Sequence, residues 1–378
     1  MRDLIIIGAG PVGATFALLA QQRGLKVVLL EARDSPSRET RNLALSHGSR
    51  EILEEAGAWS AALNATEIHH IHTSQRGGFG RTHISRDDGS VPALGYVTVY
   101  ADLQAALDTA LTNRQLPLTR GAIVTAMDSS AETATVHYQH AGAAHSVTAR
   151  AVILADGGAN LDKVPAIQTH EKDYRQTALL GHIISDTPHH HTAWERFTPE
   201  GPAALLPHGP GGEYSLVWVS DPDRIAELSA LDEAAFCKAF QTHFGQRAGR
   251  FLSVGSRRSF PLKLRTVETP VAGRAVVIGN AAQALHPVAG QGFNLGLRDA
   301  ATLTDCASQD LAGGLATYAT LRRRDVRASV GFTDFLVDAF SNDHRLLRIP
   351  RGLGLLAVDV LPFARRALAR RMLFGALR

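Results

Sequence analysis

A glycine-rich segment near the start of the chain has the spacing of a loop that binds a dinucleotide. Residues 8–13, GAGPVG, match the pattern GxGxxG. In such a loop the first glycine permits a tight turn, the second lets the backbone approach a pyrophosphate, and the third lets a helix pack closely on a sheet. The N-terminus of that helix offers unpaired N–H groups and a partial positive charge to the phosphates. The cofactor-binding residues predicted here are Gly8, Gly10, Pro11, Val12 and Gly13.

The elements around this loop fit a strand–helix–strand unit. The apolar run at residues 4–7 predicts a buried strand, residues 14–20 have a helical pattern that stops near Gly24, and residues 27–30 predict a second strand. Glu31 ends that strand, where its carboxylate can accept hydrogen bonds from an adenosine ribose, and Arg33 follows as a further candidate contact. The motif alone does not distinguish FAD from NAD.

A second glycine-rich segment lies far downstream. Residues 276–278 have the pattern of a buried strand and run into GNAAQALHP at 279–287, followed by VAGQGFNLGLRDA at 288–300. Glycines in such a segment allow the backbone to approach a planar ring, and a helix N-terminus stabilises negative charge on it. A strand at 151–154 ends in a third candidate turn, Asp156-Gly157.

With these motifs the chain resembles the group A flavoprotein monooxygenases. Within them it is most similar to the ubiquinone-biosynthesis hydroxylases, in particular the 2-octaprenyl-6-methoxyphenol hydroxylase branch. The resemblance covers nearly the whole chain and is strongest over residues 4–50 and 193–300, where residues 193–207 point to a quinone precursor as substrate. It implies FAD as cofactor, NADPH or NADH as transient reductant, and O2 as co-substrate. The implied substrate is a hydrophobic polyprenyl phenol of the 2-polyprenyl-6-methoxyphenol type, hydroxylated through a hydroperoxide at the flavin C4a position.

The resemblance also assigns roles to individual residues. Arg41 would lie near the pyrophosphate, Gln104 would contact the flavin, Val124 would contact adenine through its backbone, and Asp156 would contact FAD. Asn160 and Lys163 stand where the family usually has Ser and Arg, which puts the nicotinamide role of the Asp156 segment in doubt.

In the downstream segment, Asn280 would bond to the ribitol and phosphate region. It stands where the family more often has Asp, and the methoxyphenol-hydroxylase branch resembles this variant. His286 and Pro287 would form the catalytic wall beside the isoalloxazine, and no general base is assigned. The other cofactor contacts implied here are Gly279, Pro287, Gly290, Gly292, Phe293 and Asn294.

The fold implied by the resemblance is α/β, like that of p-hydroxybenzoate hydroxylase. A Rossmann-like FAD-binding domain would be interleaved with an antiparallel-sheet substrate domain and followed by C-terminal helices. We expect the FAD-binding domain at residues 1–70, 96–168 and 266–330, and the substrate domain at 71–95 and 169–265. Residues 331–378 would form a helical, basic amphipathic segment.

The composition excludes several classes of protein. The 378 residues are 45% apolar and 20% charged, which is typical of a globular protein, and the net charge of +3 gives no support to nucleic-acid binding. Cys237 and Cys306 form no disulfide framework, so a reducing compartment is expected. The chain enters a strand at once, which leaves no room for a signal peptide, and no apolar run is long enough to span a membrane. We expect a cytoplasmic protein that can lie peripherally on the membrane.

Two groups of histidines, at 69–72 and 189–191, lack the spacing of metal ligands. Because neighbouring residues of a strand point to opposite faces, these histidines are interpreted as solvated loop residues, and no metal is expected.

The C-terminal end is strongly basic. Residues 345–378 contain eight arginines and one acidic residue, Asp359, interleaved with apolar residues. This pattern fits an anionic membrane surface and fits equally a helix that packs its apolar side on the protein. The expected partners are the polyprenyl phenol, a peripheral membrane contact and a ubiquinone-biosynthesis complex.

Two other functions remain open at this point. One is a flavin-dependent reductase or dehydrogenase on the same fold, and the other is a non-catalytic FAD-bearing scaffold subunit.

Overall fold

The computed structural model describes residues 1–285, 290–340 and 345–375, apart from the side chains of residues 337, 338 and 345–348. Its strands are β1 (Arg2–Ile7), β2 (Val27–Glu31), β3 (Asn42–Ser46), β4 (Thr66–Ile68), β5 (His70–Gln75), β6 (Arg81–Ser85), β7 (Gly95–Val99), β8 (Leu118–Arg120), β9 (Ile123–Ser129), β10 (Ala134–His140), β11 (Ala143–Leu154), β12 (Thr169–Ser185), β13 (Thr192–Phe197), β14 (Ala203–Pro207), β15 (Glu213–Ser220), β16 (Phe251–Val254), β17 (Arg258–Val267), β18 (Val271–Ala272), β19 (Ala275–Val277) and β20 (Gln283–Ala284).

Its helices are α1 (Pro11–Gln22), α2 (His47–Glu55), α3 (Arg86–Gly89), α4 (Tyr100–Asn113), α5 (Pro222–Ala230), α6 (Glu233–Phe244), α7 (Gln291–Gln309), α8 (Leu311–Phe340), α9 (Arg345–Val360) and α10 (Pro362–Phe374). Short 3-10 turns lie at Ala61–Leu63, Leu161–Lys163 and Gly279–Ala281.

The first sheet has the strand order β18-β19-β11-β1-β2-β8, and β10 and β9 extend it from β11. Strands β19, β11, β1, β2 and β8 run parallel. The residues of β1 from Leu4 to Ile7 are at most 3% exposed, as expected for a central parallel strand covered on both faces. Helix α1 starts with Pro11, whose fixed φ suits a first helical position, and the chain leaves it through Gly24 at φ +84°.

The second sheet has the order β20-β17-β12-β15-β14-β13-β5-β6, with β16 paired to β12. Its pairs are antiparallel except β13 with β5. Along β15 the side chains alternate, so Trp218 packs on α6 through Phe236 and Phe240 while Val217 and Val219 face a cavity. Strand β20 comes from the downstream glycine-rich segment and pairs with β17.

A smaller sheet, β3-β7-β4, packs beside α2, and the C-terminal helices complete the molecule. Helix α8 packs along α7, α9 packs on β6 and β5, and α10 packs on α3 and α2. A parallel-sheet nucleotide domain interleaved with a largely antiparallel sheet and followed by helices is the fold class expected from the sequence, and it is confirmed.

Candidate active site

The loop between β1 and α1 brings its three glycines into different surroundings. Gly8 has φ +98°, and a Cβ on it would lie 2.7 Å from the carbonyl carbon of Ala155. A Cβ on Gly13 would lie 2.0 Å from the carbonyl oxygen of Gly8. A Cβ on Gly10 would meet only the hydroxyl of Tyr100, at an ordinary 3.7 Å. Packing within the protein therefore explains two of the glycines, and the open side of Gly10 leaves room for a ligand beside the uncapped N-terminus of α1.

Glu31 is buried at the end of β2 and its carboxylate faces the same loop. Its Oε2 accepts a hydrogen bond from the Ala9 N–H at 2.7 Å, and its Oε1 accepts from the backbone N–H and the Nε of Arg33. Burial raises the pKa of Glu31, but the hydrogen bonds from Arg33 and Ala9 outweigh it and hold the pKa below its ordinary value. The carboxylate is thus ionised and fixed, with lone pairs left for ribose hydroxyls.

Tyr100 lies near the start of α1, with the side chains of Arg33 and Arg41 close to it. The guanidinium of Arg41 lies over its ring, 5.0 Å from the centroid. Burial raises the pKa of the Tyr100 hydroxyl, and the nearby charges of Arg33 and Arg41 partly oppose that rise. Arg41 also pairs with Glu39, at 3.0 Å. Two partly exposed guanidinium groups beside an uncapped helix N-terminus suit a pyrophosphate. Tyr100 was not predicted as a site residue, because its place at the start of α4 gives no sequence signal of this role.

Gln104 and Val124 approach the loop from two other elements. Gln104 is buried on α4, where its Nε2 donates to the Ala9 carbonyl at 3.0 Å while its Oε1 has no partner among the described residues. Val124 lies on β9 in the apolar cluster that contains Leu30. Both positions border the Gly8–Gly13 loop or the end of β2, and their contacts with a cofactor remain predictions.

Asp156 sits where β11 ends, against Gly8. Its carboxylate accepts hydrogen bonds from the Gly158 N–H at 2.9 Å and the Asn160 amide at 2.6 Å, so it holds its own turn. Arg265 on β17 joins this turn to the downstream segment by donating to the carbonyl oxygens of Gly157 and Asn280. Arg265 was not predicted, since nothing in its local sequence reveals which loops it connects.

A buried charge network supports the downstream segment. The carboxylate of Asp299 on α7 accepts from the Gly279 N–H at 2.9 Å, from the Gln283 amide and from Nε of Arg322 at 2.6 Å. Arg322, on α8, also pairs with Asp325. Burial lowers the pKa of Arg322, but the two carboxylates outweigh it and raise the pKa above its ordinary value. This network fixes Gly279, which packs against Val12.

The N-terminus of α7 is the second uncapped helix end of the site. Gly290 occupies the N-cap position at φ +60°, and Gly290, Gly292 and Phe293 line the cavity described below. Asn294 lines it too, but its amide is fully used by bonds to Ala44, Gly290, Ser46 and Ser49. The Asn294 side chain therefore ties α7 to β3, and a contact with the cofactor is left to its backbone. His286 and Pro287, predicted as the catalytic wall, lie outside the described residues.

A cavity of about 360 Å³ runs from this helix end between the sheets. Arg41, Asn280 and the α7 N-terminus form one end. The rest is largely apolar and comes from four elements or sheets: the second sheet, the β3-β7-β4 sheet, the segment around Leu285, and α10. Typical members of these walls are Val217, Leu206, Leu45, Leu285 and Leu373. Asn42 adds an amide whose nitrogen and oxygen have no partner among the described residues.

The histidines differ from their interpretation as solvated loop residues. His70 and His72 lie on β5, and His72 and His189 are buried. Burial, with a smaller contribution from Arg247, lowers the pKa of His72 to about 4. The interpretation was wrong for His70 and His72, because β5 lies inside the second sheet, between β13 and β6. Residues 189–191 do lie in a loop, where His190 is exposed and His189 is buried. Within the described part of the chain no group of three or more His, Cys, Asp and Glu side chains is placed to hold a metal ion.

Comparison with known proteins identifies the family. The profile of a family described as an FAD binding domain matches residues 1–333, which is well over half of the chain. The chain belongs to this FAD-binding family. Its cofactor is FAD, and the cluster of Gly10, Glu31, Arg33, Arg41 and the two helix ends fits the carbohydrate and phosphate parts of that molecule.

Two relatives of known type indicate the enzyme class of this FAD-binding protein. It is 32% identical to the ubiquinone hydroxylase UbiL of Rhodospirillum rubrum, over 95% of this chain and 86% of that protein. It is 28% identical to the 3-demethoxyubiquinol 3-hydroxylase of Escherichia coli, over 94% of both chains. The resemblance to ubiquinone-biosynthesis FAD monooxygenases is confirmed, and the chain is an FAD-dependent aromatic hydroxylase. The choice of branch stays a prediction.

A solved structure shows the same fold. The p-nitrophenol 4-monooxygenase PnpA from Pseudomonas putida DLL-E4 superposes with a TM-score of 0.80 over 100% of this chain and 99% of that chain, at 17% identity. At this sequence identity the structural similarity supports the fold and carries no conclusion about function.

Proposed function

We propose that this FAD-dependent hydroxylase acts on a polyprenyl phenol of the 2-polyprenyl-6-methoxyphenol type in ubiquinone biosynthesis, with NADPH or NADH as reductant and O2 as co-substrate. The observation that carries the proposal is the largely apolar cavity whose lining includes the N-terminus of α7, where we place the flavin. A phenol with an isoprenoid tail needs a pocket for its ring and an adjoining apolar surface for its tail. The volume of the cavity is in the range of small-molecule binding sites. The names of the relatives supply the pathway.

The residues of the chain divide the work between the cofactor and the substrate. Bound FAD supplies the oxygen chemistry. The N-terminus of α7 would favour negative charge on a flavin ring bound beside it, because a helix N-terminus has unpaired N–H groups and a partial positive charge. The apolar walls from Val217, Leu206 and Leu373 hold the substrate ring and exclude water, which protects the reaction from side products. The amide of Asn42 in the wall, whose nitrogen and oxygen have no partner among the described residues, would orient the phenol.

Two partners follow from the chemistry of such a substrate. A polyprenyl phenol resides in a bilayer, so the proposal includes a peripheral contact with the cytoplasmic membrane and membership of a ubiquinone-biosynthesis complex. No helix in the described ranges is long and apolar enough to cross a membrane.

The test is anaerobic and then aerobic flavin spectroscopy with NADPH, NADH and a short-chain 2-prenyl-6-methoxyphenol. We expect the nicotinamide to bleach the oxidised flavin absorbance, and ¹⁸O₂ to yield a product that carries one ¹⁸O atom on the ring. The NADPH and NADH arms show which reductant is used.

Each contrary result has a defined meaning. Reduced flavin with no oxygen uptake on addition of the phenol would point to a reductase or dehydrogenase. Flavin that neither nucleotide reduces, even with the phenol present, would point to a scaffold subunit. Turnover of other phenols without the prenylated one would overturn the substrate class.

A further inference from the structure

Helix α9 presents a continuous apolar row to the outside of the molecule. Ile349, Leu353, Leu356 and Val360 are spaced i, i+4, i+7 and i+11, so they share one face of the helix. Their exposed fractions range from 41% to 64%. Scattered exposed apolar residues are normal on a protein, but a row of four along one helix is the pattern of an interaction surface.

The opposite side of α9 is already packed, so the row does not face the core. Gly352 lies so close to the turn before β6 that a Cβ would be 2.6 Å from the Phe79 carbonyl oxygen. The carbonyl of Leu355 accepts from the Thr82 hydroxyl at 2.8 Å, and the carboxylate of Asp359 accepts from the His83 N–H at 2.8 Å. These contacts fix which side of the helix turns outward.

The next helix, α10, which packs against α9, has an exposed face that is basic. Phe363, Arg366 and Arg370 have the spacing i, i+3 and i+7 on α10, and all three are exposed, Phe363 to 72%. Two nearby carboxylates bond within the protein, Asp359 to the backbone of β6 and Asp88 to Arg365 at 2.7 Å. The outward surface therefore combines apolar side chains with the positive charges of Arg366 and Arg370.

We propose that this docking face, formed by Leu353, Leu356, Val360, Phe363, Arg366 and Arg370, binds the surface of an anionic phospholipid bilayer. An amphipathic helix of this kind lies in the interface, with apolar side chains among the acyl chains and arginines at the anionic headgroups. A second copy of the chain fits less well, because a symmetric contact through this face would bring like-charged arginines together.

Helix α10 contributes residues both to the docking face and to the wall of the substrate cavity. Ala369, Met372 and Leu373 of α10 line the cavity, while Arg366 and Arg370 of the same helix are exposed. A bilayer bound here would adjoin the wall of the cavity that receives the apolar part of a substrate. The role of the bilayer as the source of the substrate rests on the proposed function. Binding of the docking face to a bilayer can be tested without turnover.

The experiment is co-sedimentation of the full-length FAD-loaded protein with vesicles of phosphatidylcholine alone or of phosphatidylcholine with phosphatidylglycerol. We expect binding to the vesicles that contain phosphatidylglycerol, weakened by high salt. Leu353→Glu with Val360→Glu, and separately Arg366→Ala with Arg370→Ala, should each reduce the binding by at least about tenfold. Leu252→Glu is the matched control, because Leu252 on β16 is 50% exposed but lies outside the docking face, and it should bind like the original protein.

The inference is overturned if the unaltered protein does not bind phosphatidylglycerol vesicles, or if the docking-face variants bind as well as it does. It is also overturned if gel filtration with light scattering shows that the protein is a dimer and that the Glu variants are monomers. Hydroxylation of a water-soluble short-chain phenol without vesicles separates the two hypotheses. If the protein keeps that activity while vesicle binding fails, the docking face and the membrane contact are wrong and the proposed hydroxylation stands. If none has it, the proposed function fails.

Discussion

At the scale of single residues, the loop between β1 and α1 contains two glycines that the packing of the protein requires and one, Gly10, that we predict the cofactor requires. Gly13 is required because its neighbour Gly8 leaves no space for a Cβ, whereas the space at Gly10 is open. We therefore predict that a methyl group at Gly10 would enter the space that the pyrophosphate occupies when FAD binds. The same fingerprint thus contains two kinds of constraint that substitution can separate.

We expect Gly10→Ala to weaken FAD binding by about tenfold or more while leaving the apoprotein as stable as before. The physical reason is that the added methyl displaces the phosphates from the N–H groups of α1 without touching buried protein atoms. Quenching of flavin fluorescence on titration gives the dissociation constant, and thermal unfolding of the apoprotein gives the stability.

Gly13→Ala is the matched variant and should behave in the opposite way. Its Cβ would collide with the Gly8 carbonyl, so the apoprotein itself should lose on the order of 2 kcal/mol or more of unfolding free energy. Equal loss of apoprotein stability in both variants would contradict the assignment of Gly10 to the cofactor.

At the scale of elements, the buried charges of α7 and α8 carry the segment at Gly279. Asp299 and Arg322 have side chains that are at most 2% exposed, and Asp299 also holds the backbone of the cofactor loop. Breaking a buried pair leaves an uncompensated charge in a medium that solvates it poorly. The network is therefore a structural support of the FAD site that lies outside the site itself.

Asp299→Asn should lower the free energy of unfolding by about 3 kcal/mol and weaken FAD binding as well, because Arg322 loses one of its two buried carboxylate partners and keeps only Asp325. Urea denaturation of the apoprotein and fluorescence titration with FAD measure the two effects. The control is Glu227→Gln, which breaks an exposed pair with Arg224 and should cost less than about 1 kcal/mol. A similar loss of unfolding free energy in the two variants would show that the buried network stabilises the protein no more than an exposed ion pair does.

At the scale of the whole molecule, the substrate sheet faces the cavity on one side and buries aromatic and histidine side chains on the other. The cavity depends on small residues such as Ala204, which lies on β14 in its wall. The opposite face contains His243 on α6, which packs on Trp218.

We expect Ala204→Phe to shorten the space for an isoprenoid tail. The KM for a long-chain prenyl phenol should rise by about tenfold, while the KM for a short-chain analogue should change little, because the extra ring occupies apolar volume used only by the tail. Steady-state oxygen uptake with two chain lengths measures the difference. An equal change for both substrates would place the tail elsewhere.

The buried histidines should make the protein sensitive to mild acid. Burial, with smaller contributions from Arg247 and Arg76 respectively, lowers the pKa of His72 and of His243 to about 4. Both are neutral in the folded protein, while the unfolded chain takes up protons near the ordinary histidine pKa of about 6.5. Stability present at neutral pH is therefore lost as the pH falls through that value.

Between about pH 7.5 and about pH 5, this should remove on the order of 2 kcal/mol per histidine, before most carboxylates titrate. Urea denaturation at several pH values measures the slope. The double variant His72→Gln with His243→Gln should have a shallower slope, and an unchanged slope would contradict this origin.

The sequence by itself determined the parts of this protein that depend on neighbouring residues. The strand at residues 4–7, the helix after Gly10 and the acidic end of β2 follow from apolar period and glycine placement, because these act over one or two turns of the chain. The same motifs, through their resemblance to a known family, gave FAD and the class of hydroxylase.

Only the tertiary structure decided which distant residues meet. The side chain of Asn294 bonds to Ser46, which is 248 positions away, and Arg265 joins loops that are more than a hundred residues apart. The burial of His72 depends on strands β13 and β6 flanking β5, which its own sequence does not specify. Contacts of this kind have no local periodicity, because the free energy that forms them comes from packing whole elements together. For the same reason the shape of the cavity and the outward face of α9 appear only in three dimensions.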